Sequence, residues 1–364
     1  MALEPRAGTA WAVRSAIGGA AFGVLAVVAV VVFAASAGAL VSSPERFGAP
    51  FDAAVSGFSG DVLEDGGDEL LADAGVAELS VLTTGIARVA GHEVNTHSIE
   101  ARTGGMSLTM LEGRLPRDQG EVVLGATTLD DAGADVGDAV AVEGAAASLR
   151  ATVVGVGAFP VVDERSAAGR GVLLVPEDQV RISSPDELSR DVLIGWSSGV
   201  DVATANAELA ERTGTEVSVP RLPSDVKNLR DVEALPRALA GFLAVLAALA
   251  AVHALQSTVR QRRRDLAVLS TLGFQRRQLA ATLGFQAATI GLTGLAVGVP
   301  LGLVVGRLVW RALAGEIGVV AEPVTPVATV LVVAVAALVV VVGAAIVPGR
   351  TAGRVRPAAV LRAP

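Results

Sequence analysis

The chain has 364 residues, 52% hydrophobic and 18% charged, with a formal net charge of −8 and no cysteine. A mean hydropathy of +0.57 is too high for an ordinary soluble domain, where about a quarter of the residues carry charge. The lack of thiols excludes disulfides and thiolate metal sites.

A short tail, 1–15, precedes the first apolar block, 16–40. Ala35-Ser36-Ala37 resembles a signal-peptide cleavage site, but the 25-residue stretch is longer than the roughly 7–15-residue apolar core of such peptides. The block is therefore read as a retained transmembrane helix. Three more blocks, 235–257, 280–308 and 323–347, also reach the ~20 residues needed to cross the hydrocarbon layer. The expected architecture is a membrane protein with four transmembrane α-helices and a large α+β domain, 41–234, between the first two.

Within that domain, Val- and Leu-rich runs bounded by Gly, Pro and Asp predict strands at 77–91, 121–125, 139–144, 149–159, 170–176 and 190–196. Helices are predicted at 65–75, 125–134 and 201–214, the last with Asp201 as N-cap and Gly214 as stop. The two ends, about 51–90 and 190–220, read as βαβ units, and 92–185 as an inserted β-rich lobe. His92 and His97 lie five apart on a strand or loop with Glu93 between them, a poor ligand set, so a surface or structural role is expected. The acidic group Glu64, Asp65, Asp68 and Glu69 reads as a solvated helix face. No Ser/His/Asp motif stands out, so the domain reads as a binding or force-transmitting module with no metal and no cofactor.

The stretch 258–279 follows the second block. It holds Arg260, Arg262, Arg263 and Arg264, then Asp265, then Leu266, Leu269 and Leu272 at three-residue spacing, then Gly273, Arg276 and Arg277. The leucines share one helical face, and Gly273 suits a helix stop. This predicts a short amphipathic helix held between two spans. The third block carries Gly294, Gly298, Gly302 and Gly306, a spacing that lets helices approach closely. That face serves packing within the chain or contact with a second module. His253 reads as a polar interface position, and no span holds a central charge, which argues against an ion-coupled secondary transporter. The loop 309–322 and the tail 348–364 complete the chain.

Charge sets the orientation. Residues 41–234 contain 14 Lys+Arg against 33 Asp+Glu, a net −19. The N-terminal tail, the 258–279 stretch and the C-terminal tail hold twelve arginines against Glu4 and Asp265. Short loops rich in Lys and Arg stay in the cytoplasm, which places both termini and the arginine stretch inside and the acidic domain outside the cell membrane. A basic run beside a span is an anchor or a membrane-lipid contact more often than a nucleic-acid patch.

The run Arg262-Arg263-Arg264-Asp265-Leu266-Ala267-Val268-Leu269-Ser270-Thr271-Leu272-Gly273-Phe274-Gln275-Arg276-Arg277-Gln278 resembles the elbow of the FtsX/MacB-like permeases of ABC transporters. The resemblance continues through "VGVPLGLVVGRLVWRAL" (297–313) and "PGRTAGRVRPAAVLRAP" (348–364), and covers the order of one span, a large external domain and three spans. It implies a split βαβ lobe with an inserted lobe, and a cytoplasmic ABC ATPase docked on the elbow. The coupling residues would be Arg264, Asp265, Leu266, Leu269, Leu272, Gly273, Arg276 and Arg277. Members move lipids, lipoproteins, peptides or drugs, or transmit force outward. The opening "LEPRAGTAWAVRSAIGGAAFGV" resembles an internal stretch of two-module members, so a second permease module is expected as partner, identical or an N-terminal half. No G-x-x-x-x-G-K-[ST] occurs and the sole lysine is Lys227. Nucleotide hydrolysis is thus expected in the partner, not in this chain. The alternative is a membrane-anchored sensor that relays external ligand binding without transport.

Overall fold

The computed structural model describes residues 7–56, 75–161, 166–223, 226, 227, 238, 239, 241–246, 249 and 276–352. They divide into two units: a domain of residues 37–231 with 311–322, and a helical unit of residues 1–36, 232–310 and 323–364.

The domain is built on one ten-stranded sheet. Its strands are β1 (Ala53–Ser56), β2 (Val76–Val89), β3 (His92–Thr103), β4 (Thr109–Gly113), β5 (Glu121–Leu124), β6 (Ala139–Gly144), β7 (Ser148–Ala158), β8 (Val172–Leu173), β9 (Ser189–Trp196) and β10 (Val217–Ser218). The order is β10-β1-β9-β2-β3-β8-β5-β7-β4, with β6 pairing both β2 and β7. β9 lies antiparallel between β1 and β2, so β1 and β2 are parallel strands split by a third. β1 lies antiparallel between β9 and β10, giving a second split unit whose crossover is the helix Val202–Thr213. The two βαβ units predicted at the ends of the domain are therefore interleaved, not side by side.

β2 joins the two halves of the sheet. Its N-terminal part pairs β9 and its C-terminal part pairs β6, while β3 runs along it through a hairpin from Val89 to His92. The two-residue turn is Ala90-Gly91, both with positive φ (52° and 83°), as a type I′ turn requires. Apolar clusters line the sheet, a smaller one around Leu108, Val123, Phe159 and Leu173 and two larger ones. Ala53, Val55, Leu79, Val192, Ile194 and Leu209 form one, and the other gathers Val122, Leu124, Val142, Val153, Val172 and Ile182 with their neighbours.

Most predicted strands stand within a residue or two, but 170–176 shrinks to Val172–Leu173, because Pro176 opens a helix, Pro176–Ile182. Strand β3 was not predicted. Its middle residues Asn95, Thr96, His97 and Ser98 are polar and yet buried. Of the predicted helix 65–75, residues 65–74 lie outside the described residues, as does the acidic group Glu64 to Glu69, and Gly75 is a turn.

In the helical unit, α1 (Ala7–Ser42) is followed by α2 (Arg276–Ile317) and α3 (Val327–Ala352); these labels number only the three long helices. Ile17–Ser42 and Ala287–Ile317 are long and apolar enough to span a membrane, and Val327–Gly343 is a shorter apolar stretch. At 1.5 Å per residue, the 42 residues of α2 extend about 63 Å, twice the ~30 Å hydrocarbon thickness. The loop expected from 309 begins later: α2 accommodates Pro300 and Gly315, and ends only at Gly318, whose φ is +74°. The block 235–257 is helical at positions 238, 239, 241–246 and 249, and its other residues lie outside the described ones.

Candidate helix-packing and coupling site

The candidate coupling residues Arg264, Asp265, Leu266, Leu269, Leu272 and Gly273 lie outside the described residues, as does His253. Arg276 and Arg277 open α2.

The glycines of the third block are placed. A Cβ on Gly294 would lie 3.0 Å from Ala20 Cβ. On Gly298 it would lie 2.6 Å from the Ala21 carbonyl oxygen, on Gly302 2.8 Å from that of Leu25, and on Gly306 2.8 Å from that of Ala29. From Gly298 to Gly306 the contacts on α1 advance by four residues as the glycines do, so two four-residue ridges run along each other with backbone against backbone. Val28 and Val32 are fully buried in this seam, with Val299 and Leu303 of α2 and Val330 of α3 beside them. At one end of the seam Phe33 meets Trp310 edge-on, ring centres 5.9 Å apart. Ser36 Oγ donates to Val32 O at 2.8 Å and accepts from Val324 N at 3.0 Å, tying α1 to the segment before α3. This face is packed by α1 of the same chain.

Within the domain, the end of α2 makes a second set of glycine contacts. A Cβ on Gly318 would lie 2.3 Å from Gly169 Cα, and one on Gly169 would lie 2.8 Å from Ile317 O. On Gly125 a Cβ would lie 2.2 Å from Gly169 O. Thr127 N donates to Gly169 O at 2.9 Å and Gly125 N to Gly171 O at 3.0 Å. The turn Pro44–Phe47 after α1 joins the same region: Val320 N donates to Arg46 O at 3.0 Å, and Arg46 Nη1 donates to Glu322 O at 3.1 Å. Sequence reasoning missed this junction because its glycines show no period.

Two pairs of charged or polar groups complete the picture. Arg114 forks onto Glu121, Nη1 to Oε2 at 2.7 Å and Nη2 to Oε1 at 2.5 Å. That guanidinium, with the Arg117 and Asp118 backbone amides, pulls the Glu121 carboxyl from the ordinary 4.5 down to about 2. His97 is buried against Phe159, ring centres 5.3 Å apart, while His92 is exposed at the strand start. Among the described residues no group of three His, Asp or Glu side chains is arranged to hold a metal.

The MacB-like periplasmic core domain family matches residues 16–212, and the FtsX-like permease C-terminal family matches residues 237–357. The chain belongs to the FtsX/MacB-like permeases. It is a membrane protein of the ABC-transporter permease type, with an extracytoplasmic α+β domain. No curated protein matches the sequence. Among solved structures, the periplasmic region of MacB from Actinobacillus actinomycetemcomitans is similar at 15% identity and a TM-score of 0.32, covering 52% of this chain and 96% of that one.

Proposed function

We propose that this permease couples ATP hydrolysis in a separate cytoplasmic ATPase to movements of its extracytoplasmic domain, and carries no catalytic activity of its own. The observation that supports this reading best is the tandem order of the two family matches, 16–212 then 237–357. The second match encloses the arginine-rich stretch 258–279. In this reading four helices span the cell membrane, both termini are cytoplasmic, and a second permease module, identical or not, completes the transporter beside membrane lipid. The work done is export or extraction of a lipid, lipoprotein, peptide or drug, or transmission of force to an external partner.

The elbow works as a docking helix. Leu266, Leu269 and Leu272 supply its apolar face, Arg264 and Asp265 its polar contacts, and Gly273 its pivot, with Arg276 and Arg277 leading back into the membrane. Burying a leucine contributes roughly 1.5–3 kcal/mol, and ~1.4 kcal/mol is tenfold in an equilibrium constant. Leu269→Asp should therefore lose ATPase recruitment at least ~10-fold, while Arg262→Lys and Arg263→Lys hold it. The measurement is co-purification of the ATPase with membrane insertion checked in parallel. A Leu269→Asp chain that inserts and still retains its ATPase reduces the stretch to a topological anchor. Orientation is read separately with an impermeant thiol reagent: the exposed Ser198 changed to Cys should label on intact cells, and Gln261→Cys only after lysis.

A further inference from the structure

One face of the β10-β1-β9 part of the sheet is packed by Leu209 of the crossover helix. The other face carries Ala54 and Ser56 of β1, Leu193 and Asp191 of β9, and Ser218 of β10, since directly paired residues share a face. These side chains floor a cleft of about 220 Å³. Phe51, Val161 and Val219 give it apolar walls, and Thr215, Glu216 and Arg221 complete its rim.

Asp191 is the unusual member. Its residue is only 9% exposed. Ser56 hydrogen-bonds its carboxylate. Among the described residues no Lys, Arg or His forms an ion pair with it, although Arg221 lies in the same cleft. A buried carboxylate is retained only with a counter-charge or strong donors. Its burial raises its pKa above the ordinary aspartate range, desolvation outweighing the Ser56 hydrogen bond. A negative group at the bottom of a small, half-apolar cleft fits a positive group on an apolar stem.

We propose that this cleft binds a basic amphiphile, an ammonium group on an alkyl stem such as a lysine side chain presents, with Asp191 as its counter-ion and Ser56 beside it. The stem lies along Phe51, Val161 and Val219. Occupancy has a mechanical consequence. β10 pairs β1 at only two positions, Ala54↔Ser218 and Val55↔Val217, so the ligand adds a third tie between β10, β1 and β9. β1 follows α1 and β10 precedes the 235–257 block, so the ligand clasps the two strands nearest in sequence to those membrane segments.

The test uses the full chain in nanodiscs of zwitterionic lipid, with empty nanodiscs as blanks. Binding of n-hexylammonium is measured by equilibrium dialysis against uncharged n-hexanol of equal length. Wild type should bind n-hexylammonium at one site, at least ~10-fold more tightly than n-hexanol. Asp191→Asn, which keeps shape and the Ser56 contact, should bring the two ligands level, while Glu208→Gln, on the exposed side of the crossover helix and outside the cleft, should leave the preference intact. If Asp191→Asn does not fold, the wild-type protein decides. Acidification protonates Asp191 and should weaken n-hexylammonium binding, with Glu216 and Arg221 the other charged groups lining the cleft among the described residues. Equal binding of the two ligands, an Asp191→Asn chain that keeps the preference, a loss caused by Glu208→Gln instead, or a wild-type affinity for n-hexylammonium that does not fall on acidification would each overturn the proposal.

Discussion

The helical unit and the sheet domain use the same residue, glycine, for the same purpose, and differ in how openly the sequence shows it. In α2 the four glycines from Gly294 to Gly306 recur every four residues, so one face stays flat along three turns. In the domain, Gly125, Gly169 and Gly318 are brought together from three distant segments. Gly298, Gly302 and Gly306 in the first arrangement, and all three glycines in the second, have backbone within 3 Å of where a Cβ would stand. The first is a local periodicity; the second is a product of topology. Close approach written into one helix can be read from its spacing, and close approach created by the fold cannot.

The largest effect is expected where two such contacts are filled at once. A side chain on Gly298 or Gly302 meets a carbonyl oxygen of α1 at 2.6 or 2.8 Å and Val24 or Val28 behind it. Overpacking costs roughly 1–3 kcal/mol per site, and a backbone oxygen does not swing aside as a flexible side chain does. Gly298→Leu/Gly302→Leu should therefore destabilise the helical unit by at least about 2 kcal/mol, read as a lower midpoint in mixed-micelle SDS unfolding. An unchanged midpoint would mean that α1 is not the partner of that face.

The domain junction should be nearly as sensitive at a single position. Gly125→Ala places its methyl 2.2 Å from Gly169 O, and neither segment is free to retreat, because Thr127 N and Gly125 N hydrogen-bond the same loop. A loss of roughly 1–3 kcal/mol should appear in thermal unfolding of the full chain. Gly133→Ala is the control: it has nothing within 4 Å and a φ of +58°, so its cost is conformational only, about 1–2 kcal/mol. If Gly133→Ala proves as costly as the junction variant or costlier, the damage at Gly125 is not steric.

How much of this was legible follows the same division. The Asp201 cap was readable because its signal is local, and Asp201 Oδ1 accepts from Thr204 N at 2.8 Å. The Val-rich strands were readable because apolar runs between breakers need no context. Strand β3 was not, because its polar core residues are satisfied by distant partners: Asn95 Nδ2 donates to Ser166 Oγ at 3.0 Å, and Gln179 Nε2 donates to Thr96 Oγ1 at 2.8 Å. Hydrophobicity alone marks such a segment as loop. The interleaving of the split βαβ units was hidden for a similar reason, since strand order is set by pairings between residues more than a hundred positions apart. Of the candidate site, the glycine face could be read from spacing, and Asp191 and the Gly125–Gly169–Gly318 junction could not.

A smaller effect tests electrostatics in the domain. Glu121 is held at about 2, below the ordinary 4.5. A depressed carboxyl adds stability that is complete above the unfolded value and lost as the pH falls through the folded one. Wild type should therefore lose stability more steeply than Glu121→Gln between about pH 4.5 and pH 2, and the two should differ by a constant amount above that window. Parallel acid-unfolding curves across the window would show that the fork with Arg114 is screened away.

The smallest effect sharpens the comparison most, because it holds residue type and helix constant. Gly315 lies in α2 like Gly298, but a Cβ there has nothing within 4 Å. A glycine in a helix interior is about 0.8–1.0 kcal/mol less favourable than alanine, and no packing at this position offsets that cost. Gly315→Ala should therefore raise stability by up to about 1 kcal/mol, whereas Gly298→Ala, with its methyl 2.6 Å from Ala21 O, should lower it. The two single variants compared by denaturant midpoint in the same micelles give opposite signs if position decides. Loss of stability in both would mean that α2 needs glycine along its whole length, for bending rather than for contact, and the seam with α1 would no longer explain the spacing.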